Sequence, residues 1–182
     1  MDSESLIAVL TPNARAWISE QRAAHRASSI MLSDSLRGTM APYFDAVTLQ
    51  RARIRLVPFI QNPPFYDALL ANADSVPLID FTEMAGITLD DTILVSAKHI
   101  SGVDSTALIF HELVHVAQYA RLGVAEFAIR YVRGWVENGM QYAAIRLERD
   151  AYELQDRFER REAPFSVEAE VARLLSESGP AA

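Results

Sequence analysis

From Leu108 to Ala117 the chain reads Leu-Ile-Phe-His-Glu-Leu-Val-His-Val-Ala. A helix over this stretch is apolar nearly all round, and a helix without a polar face belongs inside a protein. Yet the stretch carries two histidines and a glutamate, and Gln118 follows it directly. Buried imidazole and carboxylate groups without partners cost several kcal/mol, on the order of the polar-burial penalty. The fold must therefore enclose this helix and also give its polar groups something to bind.

The spacing points to a metal as that partner. His111 and His115 are four residues apart, so on a helix they share one face, one turn apart. Two imidazole nitrogens placed this way can converge on one ion. Glu112 lies about 100° round the helix, where its carboxylate can reach a water at that ion without ligating it. This is the mechanical content of His-Glu-x-x-His: two ligands and a general base on adjacent ridges. With 4 histidines in 182 residues, about 0.6% of shuffled chains would contain it. The metal-free alternative is a hydrogen-bonded network of the same groups. Gln118 and Tyr119 continue the stripe as packing or orienting residues.

A catalytic zinc takes three protein ligands. The chain has no cysteine. Gln118 and Arg121 stand where an extended His-x-x-Gly-x-x-His continuation would have its glycine and last histidine. His25 sits in a polar helical context and reads as exposed, and His99 reads as a surface-loop residue. The downstream carboxylates Glu126, Glu137, Glu148, Asp150 and Glu153 remain. Glu148 is preferred because the small residues Ala144 and Ala151 flank it, which lets its helix approach closely. Glu137, in Gly-Trp-Val-Glu-Asn-Gly, reads as part of a turn and is the second choice. Tyr142, Tyr152, Arg146 and Arg149 are all near enough in sequence to stabilise an oxyanion, and sequence does not choose among them.

The remaining segments surround this helix. Residues 12–29 read as a helix with Pro12 in its first turn, and Ser33 to Phe44 as a shorter one. In "LQRARIRLVPF", Leu49, Ala52, Ile54 and Leu56 interleave with Arg51, Arg53 and Arg55, as in a half-buried strand, and Pro58 ends it. A turn leads into a short helix in "NPPFYDALLANA". A strand is expected around Leu78 to Phe81 and another at Thr92 to Ser96. If the latter is an edge, an extended peptide could pair with it. Asp104 and Ser105 can cap the His-Glu-x-x-His helix, and Gly123 can stop it. Residues from Ala125 to about Glu162 are helical in pattern, with Gly134, Asn138 and Gly139 marking bends. Val167, Val171, Leu174 and Leu175 give a last helix one apolar face.

Helices, a few strands, then helices make the fold class α+β. The length fits a single unit over 1–182, with an N-terminal helical segment (1–40), a core (43–158) and a C-terminal helix and tail (165–182). A net charge of −7 and a pI of about 5.1 argue against nucleic acid or an anionic membrane as partner. No signal peptide or membrane-spanning run is visible, so a cytoplasmic protein is expected, with non-classical export left open. Oligomeric state is not legible.

With its downstream helical glutamate, the His-Glu-Leu-Val-His segment resembles the gluzincin type of zinc metallopeptidase. The surroundings are similar to a small bacterial gluzincin-like family of unknown function associated with contractile-injection toxin loci. The similarity runs from about Tyr43 to Phe158 and includes "YFDAVTLQRARIRLV", "GITLDDTILVS", "ALIFHELVHVAQY" and "YAAIRLERDAYEL". The resemblance implies a compact zincin-like (minimal gluzincin) domain in which a small sheet packs on the buried helix. It implies Zn2+ held by His111, His115 and Glu148, Glu112 as general base, and a peptide or protein substrate. The chain is too short to carry the second domain that walls the cleft of larger gluzincins. The alternatives are a zinc-binding but inactive module that acts through a protein partner, and a metal-free helical interaction protein. Residues 1–40 could also cover the site as a pro-segment.

Overall fold

The first helix starts well before Pro12. The computed structural model describes residues 2–72, 77–99 and 105–177, and in it helix α1 spans Ser3–Arg26. Asp2 caps α1 by accepting the Ser5 N–H at 2.8 Å, and Glu4 stands in the first turn, where the helix dipole favours an acid. Pro12 therefore lies inside α1 rather than in its first turn, at the loss of one helical hydrogen bond. Burial of Leu6, Ile7, Leu10, Trp17 and Ile18 along one face offsets that loss.

Side-chain caps redraw the next boundaries. Strand β1 is Ile30–Met31. Ser33 accepts the Leu36 N–H and starts α2, Asp34–Met40, within the expected helical stretch. Asp45 accepts the Thr48 N–H at 2.6 Å and starts α3, Ala46–Arg51. The strand expected from Leu49 onward thus loses its front to a helix, and β2 is only Arg53–Val57. Helix α4 follows at Phe65–Asn72. Leu78 to Phe81 is not a strand. Asp80 takes the Thr82 N–H at 3.0 Å and Asn62 takes the Phe81 N–H at 2.7 Å, diverting that backbone into a 3₁₀ turn at Phe81–Glu83.

Strands β3 (Gly86–Leu89) and β4 (Thr92–Ser96) form a hairpin turning at Asp90, whose φ of 60° an aspartate tolerates. The sheet order is β1-β2-β4-β3, mixed, with β2 and β4 parallel and the other two pairs antiparallel. All five residues of β4 are buried. Thr92 to Ser96 is therefore an interior strand, and the edge near the long helix is β3.

That long helix, α5, spans Ser105–Glu137 and breaks at Gly123 (φ 71°, ψ 164°), the residue expected to stop it. Its φ is one that glycine adopts without strain. Asp104, the expected cap, lies outside the described residues. Every residue from Ile109 to Tyr119 is buried. Gly134 does not bend the helix; the turn comes later, where Gly139 and Met140 have φ of 68° and 61°. Helix α6 is Arg146–Glu159 and α7 is Val167–Glu177, with Val167, Val171, Leu174 and Leu175 buried as expected.

Helix α5 is the hub of an α+β architecture: α1, α3, α6, α7 and β3 all pack against it. Phe110 stacks on Phe158 at 4.5 Å and meets Phe44 edge-on at 5.0 Å. One apolar cluster runs from Leu6 of α1 to Leu175 of α7. Among the described residues no helix is long and apolar enough to cross a membrane.

Candidate metal centre

The first segment of α5 presents His111 and His115 on one buried face, and the first turn of α6 brings Glu148 to them. The two Nε2 atoms are 3.1 Å apart. Glu148 Oε2 lies 3.3 Å from His111 Nε2 and 3.4 Å from His115 Nε2. Each residue offers one ligand atom, and these lie within 4.8 Å of one another, so the group could hold a metal ion. Of the two small residues expected to flank Glu148 on its helix, Ala151 is on α6 and fully buried, whereas Ala144 precedes the helix in a 3₁₀ turn at Tyr142–Ala144.

The other candidates are elsewhere. Glu137 is exposed and pairs with Arg133 at 2.8 Å. Glu126 pairs with Arg130, Asp150 with Arg146, and Glu153 faces solvent. His99 sits against the Thr82 carbonyl at 2.9 Å. His25 is half-buried rather than exposed, because α1 continues past it against the sheet side of the fold.

Gln118 settles the tautomer of His115. Its amide N–H donates to the Leu147 carbonyl at 3.0 Å, which leaves its oxygen to accept from His115 Nδ1 at 2.8 Å. His115 Nδ1 therefore carries a hydrogen, and in the neutral ring Nε2 is a bare acceptor. That acceptor faces His111 Nε2 and a carboxylate oxygen. Burial alone would lower the pKa of His115, but the Glu148 carboxylate, with Glu112 and Gln118, outweighs it and pushes the value up to about 9. Burial would likewise raise Glu148, but His115 and His111 hold it well below the usual carboxylate range. Both shifts come from the same pairing of the imidazoles with the Glu148 carboxylate. His111 Nδ1 is buried and without a hydrogen-bond partner, so the far side of this ring is set by packing, with the Tyr152 ring at 4.5 Å. Two imidazole nitrogens and one carboxylate oxygen are donors that a divalent transition metal such as zinc accepts.

Glu112 stays out of this cluster. Thr88 Oγ1 donates to its Oε2 at 2.7 Å. Gly86 makes room for it: a Cβ there would fall 2.5 Å from Glu112 Oε1. Burial raises the pKa of Glu112 against the opposing pull of the two histidines and Thr88.

Of the four residues considered for oxyanion stabilisation, the arginines drop out. Arg146 is committed to Asp150 at 2.6 Å and Arg149 is exposed. Tyr142 lines the cavity beside Glu148, and burial, followed by the Glu148 charge, keeps its hydroxyl protonated. Sequence reasoning does not single out Tyr131. Its hydroxyl donates to Glu148 Oε1 at 2.8 Å, orienting the carboxylate. The available signal is a polar-tipped ring one turn beyond Phe127 on an otherwise apolar face.

An apolar cavity of about 100 Å³ extends from Glu112, His115 and Glu148 towards α1. Leu10, Trp17 and Ile18 form one wall. Helix α1 is packed into the core along this face, and Arg22 ties it to Asp91 at 2.8 and 2.9 Å. No protein-family model matches the chain, and comparison with curated proteins and with solved structures likewise gave no match.

Proposed function

We propose that this chain is a zinc-dependent peptide hydrolase of gluzincin-like design, with His111, His115 and Glu148 as the ligands. The observation that carries this reading is the convergence of two imidazole Nε2 atoms and one carboxylate oxygen, with the far side of His115 already committed to Gln118. Zinc bound there would supply Lewis acidity toward a carbonyl and toward water.

The protein's own groups supply the rest. Glu112 takes a proton from water as the water oxygen bonds to the carbonyl carbon, and returns it to the nitrogen as the C–N bond breaks. Thr88 holds the Glu112 carboxylate in place. Tyr142 donates to the carbonyl oxygen as it gains charge. Among the described residues β3 is the edge strand beside Glu112, and an extended peptide can pair with the sheet there.

The test is zinc per chain by elemental analysis, in the parent and in His115→Ala, followed by a mixed-peptide cleavage screen of the parent and Glu112→Gln. About one zinc in the parent, little in His115→Ala, and a Glu112→Gln protein that keeps zinc but cleaves nothing is the expected pattern. Zinc without Glu112-dependent cleavage would instead identify a metal-binding module, and no zinc in the parent would remove the metal reading altogether.

A further inference from the structure

The arginines of β2, Arg53 and Arg55, have no part in the metal centre. Alternation along β2 puts Arg55 on the opposite face of the sheet from Ile54 and Leu56. Strand pairing sets Arg55 beside Leu94 and Leu94 beside Ile87, so the three stand in one row across that face. Helix α1 packs over this row with Trp17, Gln21 and His25, which repeat every four residues and share one side of the helix. Between helix and sheet lies a groove of about 170 Å³. Its floor is apolar, with Val57, Leu89 and Leu94 buried. Trp17, Ile87 and Leu89 also line the cavity beside the metal cluster and form the partition between the two spaces.

Arg55 differs from the other arginines at this end of the molecule. Arg22 and Arg26 pair with Asp91, and Arg51 pairs with Asp90. Arg53 donates to the carbonyls of Gln50 and Ala52 at the end of α3. Arg55 Nη1 donates to the Ser28 hydroxyl, which donates in turn to the His25 carbonyl at 3.2 Å and so holds the guanidinium at the end of α1. Among the described residues no carboxylate pairs with Arg55, although the chain carries a net charge of −7. His25 Nδ1 is buried without a partner. Burial, followed by the Arg55 charge, holds the His25 pKa below its ordinary value, so the ring is neutral at neutral pH. A buried N–H with no acceptor is rarer than a bare acceptor. The hydrogen is therefore assigned to Nε2, the nitrogen left to donate to the groove.

A guanidinium without a carboxylate partner, set over an apolar floor, complements a molecule that is anionic at one end and apolar at the other. An inorganic anion would leave the floor facing water, and a neutral apolar molecule would gain nothing from Arg55. A cavity of about 150 Å³ admits a benzene ring, so this groove has room for one ring or a branched aliphatic chain. We propose that the groove binds a small organic monocarboxylate with an apolar body of that size, its carboxylate on Arg55 and His25 and its body on Leu89 and Leu94. Such a site works whether or not the neighbouring cluster holds a metal.

The test is an NMR titration of metal-free, full-length protein at neutral pH, read at the Trp17 indole N–H and the Arg55 Nε–H. Phenylacetate, with about ten non-hydrogen atoms, should shift both signals and saturate at roughly millimolar concentration. Phenylacetamide lacks the charge and acetate lacks the body, and each should bind at least about tenfold more weakly. Arg55→Gln, read at Trp17, should weaken phenylacetate by about tenfold or more, the effect of losing a charged hydrogen-bond partner. Gln21→Phe fills the groove from a half-buried position on α1, where the fold tolerates a larger side chain, and should also weaken phenylacetate. Binding of phenylacetate and phenylacetamide with equal affinity overturns the proposal. So does a Trp17 shift with no Arg55 shift, an affinity that neither variant lowers, or the absence of any saturable shift.

Discussion

Gln118 donates to the carbonyl of Leu147, the residue immediately before Glu148, while its oxygen holds His115 Nδ1. One side chain thereby links α6 to α5 and fixes the tautomer of a candidate metal ligand. Gln118→Ala should weaken zinc by about 10–100-fold, the usual effect of losing such an orienting partner. It should also cost about 1–3 kcal/mol of stability by leaving the buried Leu147 carbonyl unpaired. Chelator-competition titration and denaturant melts read the two effects. A variant with parental zinc affinity would mean that packing alone positions His115.

The two tyrosines at Glu148 should separate by phenotype. Tyr131→Phe removes a hydrogen bond to Glu148 Oε1 and is expected to weaken zinc by about tenfold or more. Tyr142→Phe should retain zinc and lose about 10²–10³ in kcat with KM little changed, as for loss of an oxyanion donor. Equal loss of zinc in both would make Tyr142 another orienting residue.

Gly86 leaves the space that the Glu112 carboxylate occupies. A Cβ there would lie 2.5 Å from Glu112 Oε1, so Gly86→Ala must displace the carboxylate. Zinc content should be unaffected while turnover falls by about a hundredfold, the penalty for misplacing a reacting group by an ångström. Parental turnover in a folded Gly86→Ala protein would contradict the assignment of Glu112.

The contact between α1 and the β3–β4 turn predicts an acid limb. Burial alone would raise the pKa of Asp91, but Arg22, helped by Arg26 and Thr92, outweighs it and holds the carboxyl below its ordinary value. A depressed folded-state pKa stabilises above the unfolded value, and that stability is lost as pH falls through the folded value. Asp91→Asn should therefore cost about 1–2 kcal/mol at neutral pH, a range kept modest because Arg22 is 36% exposed. The difference between parent and variant should shrink as the pH falls below the ordinary aspartate value of about 3.9. Denaturant midpoints across that range test this, and a pH-independent difference would mean that the loss is not electrostatic.

Sequence alone established what depends on local periodicity. Residues four apart must share a helix face, so His111 and His115 were readable as a pair, and an apolar surround made their helix a buried one. Small neighbours made Glu148 the better third partner, but Glu137 stayed open until the tertiary structure placed it at the surface beside Arg133. Element boundaries depended on single caps: Asp2 moved the start of α1 ahead of Pro12, and Asp45 turned the front of a strand into α3. Such bonds compete with strand and helix patterns on nearly equal terms, so composition could not decide them. The free edge, the room at Gly86, the Tyr131 bond and the wall formed by α1 were decided only in three dimensions. Each joins residues far apart in the chain, where the helical and strand periods carry no information about which surfaces meet.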